Sequence, residues 1–140
     1  MNKDLENKLI SKFPDLFRET KLSPQESCMG RGLEIQDGWF PIVYAASEAI
    51  NGHLKRLKDA GKPLNFAFVQ IKEKFATIRI VDNGGDEFID GVVSMAEWLS
   101  SITCEVCGKS GGLCKSKSGF WLMTLCDEDA AKLEYERKNL

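Results

Sequence analysis

Residues 104–129 read CEVCGKSGGLCKSKSGFWLMTLCDED, which sets Cys104 and Cys107 in a C-x2-C pair, then eighteen residues, then Cys126 at the head of an acidic segment. A C-x2-C pair places two thiolates on one tight turn, and Gly108 directly after it lets the backbone fold back so that both sulfurs face a single tetrahedral ion. Gly111-Gly112 and Ser116 to Gly119 are turn material around two short segments, LCK and FWLMTL, that suit a small hairpin. Asp127, Glu128 and Asp129 then occupy the first turn of a helix predicted to reach Lys138, where acidic side chains complement the helix dipole. Knuckle, hairpin and helix in this order form a treble-clef-like module, with two metal ligands from the knuckle and two from the helix start. Structural zinc is the cofactor this spacing predicts.

Cys104, Cys107 and Cys126 supply three ligands, and the fourth has two candidates. Helix spacing nominates Asp129, three residues after Cys126, since zinc accepts a carboxylate oxygen. Softness nominates Cys114, and the preference of closed structural sites for sulfur and nitrogen favours it, with Asp129 as the alternative. A closed four-ligand site leaves no open position for water, so metal catalysis is not expected.

Working outward, the chain has 140 residues, enough for a sizeable core, with 43% hydrophobic and 29% charged residues, which excludes global disorder. No apolar run approaches the ~20 residues of a membrane span, and the opening MNKDLENKL is too polar for a signal peptide. The cytoplasm is therefore the expected location. In that reducing compartment five cysteines, four of them between 104 and 126, read as metal ligands sooner than as disulfides. The net charge of −2 argues against a generally basic nucleic-acid binder.

The body, residues 1–101, reads as α+β: helices packed on a small antiparallel hairpin, followed by the zinc-binding module over 102–140. A first helix is expected from Asp4 as N-cap, with Leu5, Leu9 and Phe13 at helical spacing until Pro14. From Glu19 to Gly38 the chain is polar and broken by Pro24, Gly30 and Gly32, predicting an irregular segment. Gly38-Trp39-Phe40-Pro41 introduces a strong helix to Ala60, with Ile42, Val43, Ala46, Ile50, Leu54 and Leu57 on one side. Residues 65–72 and 76–82 are aromatic and β-branched runs that predict a β-hairpin. Asp86 then caps a helix whose buried stripe is expected to be Phe88, Val92, Met95 or Ala96, and Leu99.

FPDLF at 13–17, DGWFPIV at 37–43, IKEKFATIRI at 71–80, and CEVCGKSGG with WLMTLC and its acidic helix start resemble a family of short, uncharacterised proteins from phages, prophages and bacterial genomes. The resemblance covers most of the chain and implies no activity. That family has glycine where Ala76 stands and histidine where Asp129 stands, which implies Cys114 as a replacement ligand. The implied context is a small accessory protein of a phage or other mobile element.

Other candidates each have an ordinary reading. The Cys28-Met-Gly-Arg-Gly32 stretch lacks the strand-turn-helix context and Gly-Lys-Ser/Thr ending of a phosphate loop. His53, the single histidine, sits on a helix beside Ile50 and Leu54 and reads as an ordinary, partly exposed histidine before a catalytic one. Trp39, Phe40 and Trp98 read as core before stacking platform, and Glu34 with Asp37 sit on a loop that fixes no separation. Cys28 stands alone, and a nucleophile needs a basic neighbourhood. Lys72, Lys74 and Arg79 form a basic hairpin edge that is the candidate contact for a partner.

Three classes of function follow. The first is a non-enzymatic interaction protein that binds or inhibits a host or defence protein, its acidic charge suiting a basic partner surface. The second is a nucleic-acid-binding zinc protein using the basic edge. The third is an enzyme or a small-molecule-sequestering protein with a pocket near Cys28 to Gly32 and with Arg31 and Arg79 as anion clamps.

Overall fold

A computed structural model describes residues 1–138, which form an α+β fold of four α-helices and two small antiparallel sheets. Helix α1 spans Lys3–Lys12. Its N-cap is Asn2 rather than Asp4: Asn2 Oδ1 accepts from the Leu5 N–H at 3.0 Å, and Asp4 falls within the first turn. Asn2 is held there because its backbone N–H and Nδ2 both donate to the Asp37 carboxylate, at 2.7 and 2.8 Å. The segment from Arg18 to Trp39 is irregular as expected, with three short 3-10 turns, Arg18–Lys21, Cys28–Arg31 and Asp37–Trp39.

Helix α2, Phe40–Asp59, carries Pro41 in its first turn and buries Ile42, Val43, Ala46, Ser47 and Ile50. Gly61, at φ +73°, follows its end. Strands β1, Phe68–Lys74, and β2, Thr77–Asp82, pair antiparallel with Ile71 opposite Ile80 and Glu73 opposite Ile78. The two-residue turn between them needs positive φ at both positions, and Phe75 at +53° and Ala76 at +65° adopt it without a glycine. Helix α3, Glu87–Ser100, starts where Asp86 Oδ1 accepts from the Ile89 N–H at 3.1 Å.

The buried side of α3 is Ile89, Ala96 and Ser100, with Val92 half-buried; Phe88, Met95 and Leu99 are exposed, which corrects the expected stripe. The helix has apolar residues on two adjoining faces, so periodicity alone cannot rank them. Contacts with β2 decide: Ser100 Oγ accepts from the Ile78 N–H at 2.9 Å, and Arg79 pairs with Glu97 at 3.0 Å. Trp39 is fully buried, as expected of core, whereas Trp98 is 75% exposed.

The tail contains β3, Gly112–Ser116, β4, Leu122–Leu125, the short helix α4, Asp127–Lys132, and β5, Tyr135–Arg137, in a sheet of order β4-β3-β5. The expected helix to Lys138 therefore ends at Lys132. Glu134, at φ +60°, turns the chain back so that β5 pairs with the second edge of β3, whose backbone groups would otherwise lack strand partners. The expected boundary at 101/102 falls just after α3; of the module 102–140, residues 139 and 140 lie outside the described residues.

Two hydrophobic clusters result. The first gathers nineteen buried residues of the body around Leu9, Phe17, Trp39 and Ile71, and the second gathers Cys104, Cys114, Leu125, Cys126 and Ala130. Hydrogen bonds that join them include Gly38 N–H to Glu105 O at 2.9 Å, Trp39 Nε1–H to Thr103 O at 2.8 Å, and Thr124 Oγ1–H to Ala76 O at 2.7 Å. Gly38 allows this approach, since a Cβ there would stand 2.3 Å from the Cys104 carbonyl oxygen. No helix among the described residues is long and apolar enough to cross a membrane.

Candidate metal centre

The knuckle is built by its backbone. Gly108 N–H donates to Cys104 O at 2.9 Å, Cys104 N–H donates to Lys109 O at 2.7 Å, and Gly108 takes φ +77°, so the chain doubles back over two residues and both sulfurs come to one side. Cys126 arrives from β4 as the N-cap of α4, its Sγ accepting from the Asp129 N–H at 3.4 Å. That cap places Asp129 in the first helical turn, with its carboxylate facing the thiols.

Cys104, Cys107, Cys126 and Asp129 converge, with one ligand atom from each lying within 4.8 Å of the others, and can hold a metal ion. Cys107 Sγ is 3.7 Å from Cys126 Sγ, and Asp129 Oδ2 is 3.3 Å from both Cys104 Sγ and Cys126 Sγ. Only Cys107 is exposed. The thiols and the carboxylate shift one another in opposite directions. The Asp129 carboxylate, with burial, pushes the Cys107 thiol up to about 12, while the hydrogen bonds from the Cys107, Cys104 and Cys126 thiols hold Asp129 below the usual carboxylate range. A bound cation reverses the thiol shift, because a coordinating thiol is deprotonated.

The preferred fourth ligand from sequence, Cys114, is not in this group. It lies in the middle of β3, opposite Met123 on one side and Arg137 on the other, with its Sγ 3.3 Å from Gly112 O. Burial pushes its thiol up, as for a small hydrophobe in the tail cluster. The helix cap at Cys126 brings Asp129 beside the three thiols, whereas strand geometry directs Cys114 into the sheet's packing.

The basic hairpin edge is partly committed. Lys72 lies opposite Arg79 and Lys74 opposite Thr77, so all three cations share one face. Arg79 pairs with Glu97 at 3.0 Å, and the Lys74 ammonium sits 5.5 Å from the Phe75 ring centroid. The Cys28 to Gly32 turn is no phosphate cradle. Gly32 backs onto the Glu6 carboxylate, whose Oε1 accepts from the Leu33 N–H at 3.3 Å, so an anion already stands there. His53 Nε2 lies 2.6 Å from Asp86 Oδ2 and its ring stacks on Phe88 at 4.3 Å, which ties α2 to the cap of α3.

Sequence reasoning missed Glu105. It sits between the knuckle cysteines and is only 2% exposed, and its Oε1 has no hydrogen-bond partner among the described residues. Burial first, then the Glu73 charge, push its carboxyl up to about 7, against a Thr124 backbone hydrogen bond. Its spacing inside C-E-V-C carries no burial signal; what buries it is the docking of the tail on the Gly38–Trp39 corner. No protein-family model matches the chain, and no curated protein or solved structure matches it.

Proposed function

We propose that the protein is a zinc-stapled interaction protein whose work is to bind another protein, with no chemistry of its own. Zinc is the metal that suits the donor set. Two thiolates held about 2.3 Å from one ion at the tetrahedral angle stand about 3.8 Å apart, and a thiolate and a carboxylate oxygen about 3.5 Å apart; the sulfur–sulfur separation is 3.7 Å and the sulfur–oxygen separations are 3.3 Å. Three thiolates and one carboxylate close a tetrahedron, which makes the ion structural.

The observation that carries the interaction reading is the uncovered face of α3. Phe88, Met95, Leu99 and Ile102 recur at helical spacing and are exposed, and Trp98 stands beside them with Phe75 of the hairpin turn nearby on the same side of Ile102. Between this face and α2 runs a groove of about 510 Å³, with the buried Ile42, Ala46 and Ala96 at its base and the exposed Phe88, Met95 and Leu99 along it. Soluble chains leave single apolar residues exposed, but a contiguous stripe with a tryptophan marks a contact surface. Arg79 and Glu97 lie at its polar margin, which keeps the basic hairpin residues Lys72, Lys74 and Arg79 in the proposal as rim contacts. The class of partner is a protein, and the resemblance to phage and prophage proteins points to a host or defence protein. Nucleic acid ranks second, because the net charge is −2 and Arg79 is already paired.

The test is affinity capture from bacterial lysate by the parent and by a Met95→Glu/Trp98→Ala variant, each with and without nuclease. Both substitutions are on exposed positions, so the variant folds as the parent does. A protein retained by the parent after nuclease and lost by the variant is the expected result. Equal capture by both, or capture abolished by nuclease, overturns the reading.

A further inference from the structure

The exposed face of α3 is matched to itself in shape. Phe88, Met95 and Ile102 stand seven residues apart along it, the spacing at which two packed helices keep one seam together. Beside this ridge runs the α2–α3 groove, which the small, exposed Ala45, Ala49 and Gly91 also line, and a Cβ at Gly91 would meet nothing within 4 Å. A ridge and a groove side by side on one face suit a two-fold axis, because each copy then offers the other what it receives.

Charge runs in one direction along the same ridge. At the Phe88 end Glu87 and Asp90 are exposed, α3 carries no lysine or arginine, and the neighbouring Asp86 is paired with His53. The cation at that end is Arg56, 6.0 Å from the Phe88 ring centroid. At the other end Arg137 and Lys138 line one hollow with Phe75, Trp98 and Ile102. Arg137 is paired with Asp127 there, whereas Lys138 and Lys74, which lies over the Phe75 ring, are exposed. A parallel pairing of two such faces sets acids against acids. An antiparallel pairing about an axis near Met95 brings Phe88 beside the second copy's Ile102 and the acidic end onto the basic one.

The area is also sufficient. Phe75, Phe88, Met95, Trp98, Leu99 and Ile102 are 41 to 75% exposed. At roughly 200 Å² per large side chain they present on the order of 700 Å² of apolar surface, close to the ~800 Å² that each partner buries in a stable specific complex.

We propose that a second copy of this chain covers the α3 face, antiparallel about a two-fold axis near Met95, and that this pair is the form the protein takes while no other partner is bound. The inference rests on the reading of that face as a protein-contact surface and adds that self-pairing and partner binding exclude each other.

The experiment is sedimentation equilibrium of the full-length, zinc-loaded protein alone, from about 1 to 200 μM. A mass rising with concentration to twice 15.7 kDa is expected. Met95→Glu on the ridge and Ala49→Arg at the groove, both at exposed helical positions, each weaken pairing by about tenfold or more. Glu87→Lys with Asp90→Lys weakens it as well, and adding Lys74→Glu and Lys138→Glu to the same chain restores it, which damage to the fold does not do. A protein that stays monomeric up to about 200 μM, a mass that passes the dimer, or pairing untouched by both Met95→Glu and Ala49→Arg overturns the proposal. Lysate capture separates the two readings. A monomer that still captures a protein through Met95 and Trp98 removes self-pairing and leaves the contact surface, whereas a dimer through α3 that captures nothing keeps self-pairing and removes the outside partner.

Discussion

The body and the tail of this chain differ in what they bury. Nineteen buried residues pack into one cluster in the body, including Trp39 and several phenylalanines, whereas the tail buries five, of which three are cysteines. Burying one large apolar side chain contributes about 1.5–3 kcal/mol, and ordering each residue's backbone opposes it by about 1–2 kcal/mol. The body's cluster is built of large side chains and the tail's mostly of small ones, so burial contributes far more in the body. In the proposed reading bound metal makes up the tail's smaller share of burial, since a structural zinc contributes about 10–16 kcal/mol in small zinc modules.

The sharpest break in that contrast is at the ligands. Cys126→Ser and Asp129→Ala are expected to lower zinc affinity by more than the ~10–100-fold that loss of an outer-shell partner causes, while Cys114→Ser leaves the stoichiometry unchanged. Competition with a chromophoric chelator reads this directly. Loss of metal in the Cys114 variant together with retention in the Asp129 variant would restore the four-thiolate shell.

That point also shows what could be read from residues alone. C-x2-C, Gly108 and an acidic helix start announced the module, and Asp86 announced its cap, because these are local rules that spacing carries. The choice between Cys114 and Asp129 was not legible, since both lie at short range and only the pairing of β3 with two neighbours removes Cys114 from contention. The exposed face of α3 was misassigned for a related reason: Phe88 and Ile89 are adjacent, and the identity of the buried one depends on where the hairpin sits. Strand β5 and the buried state of Glu105 depend wholly on tertiary docking. The α2 helix and the β1–β2 hairpin were legible because Pro41, Gly61 and the β-branched runs act within a few residues of themselves.

Trp39 is the residue through which the two regions meet. Trp39→Ala removes a fully buried ring and the hydrogen bond to Thr103 O, and a loss of about 3–5 kcal/mol in denaturant stability is expected, with tail amides losing protection as well. A loss confined to body amides would mean that the tail does not lean on this corner.

A pH titration sharpens the body side. Hydrogen bonding from His53, then from the Ile89 N–H, holds the Asp86 carboxyl below its usual range. A depressed acid contributes stability that is present above its unfolded value near pH 4 and is lost as pH falls through the folded value. The stability gap between the parent and Asp86→Asn should therefore narrow on acidification toward about pH 3. A gap that stays constant over that range would remove the ionic contribution.

The smallest effect is at the hairpin turn. Ala76 holds φ +65°, a left-handed conformation that costs a non-glycine residue about 1–2 kcal/mol, but its buried methyl offsets about 0.8 kcal/mol of this. Ala76→Gly is expected to stabilise the body by less than about 1 kcal/mol, as glycine's unfolded-state entropy takes part of the gain. Clear destabilisation in thermal melts would show that the methyl's packing outweighs the strain.

The account rests on a metal that orders one region and not the other, and hydrogen exchange of the parent protein before and after chelation tests that most directly. Amides from Cys104 to Lys138 should lose protection when the metal is withdrawn and regain it when zinc is returned, while amides of α2 and of the β1–β2 hairpin keep theirs throughout. Tail amides that stay as protected after complete removal of metal as before would contradict it.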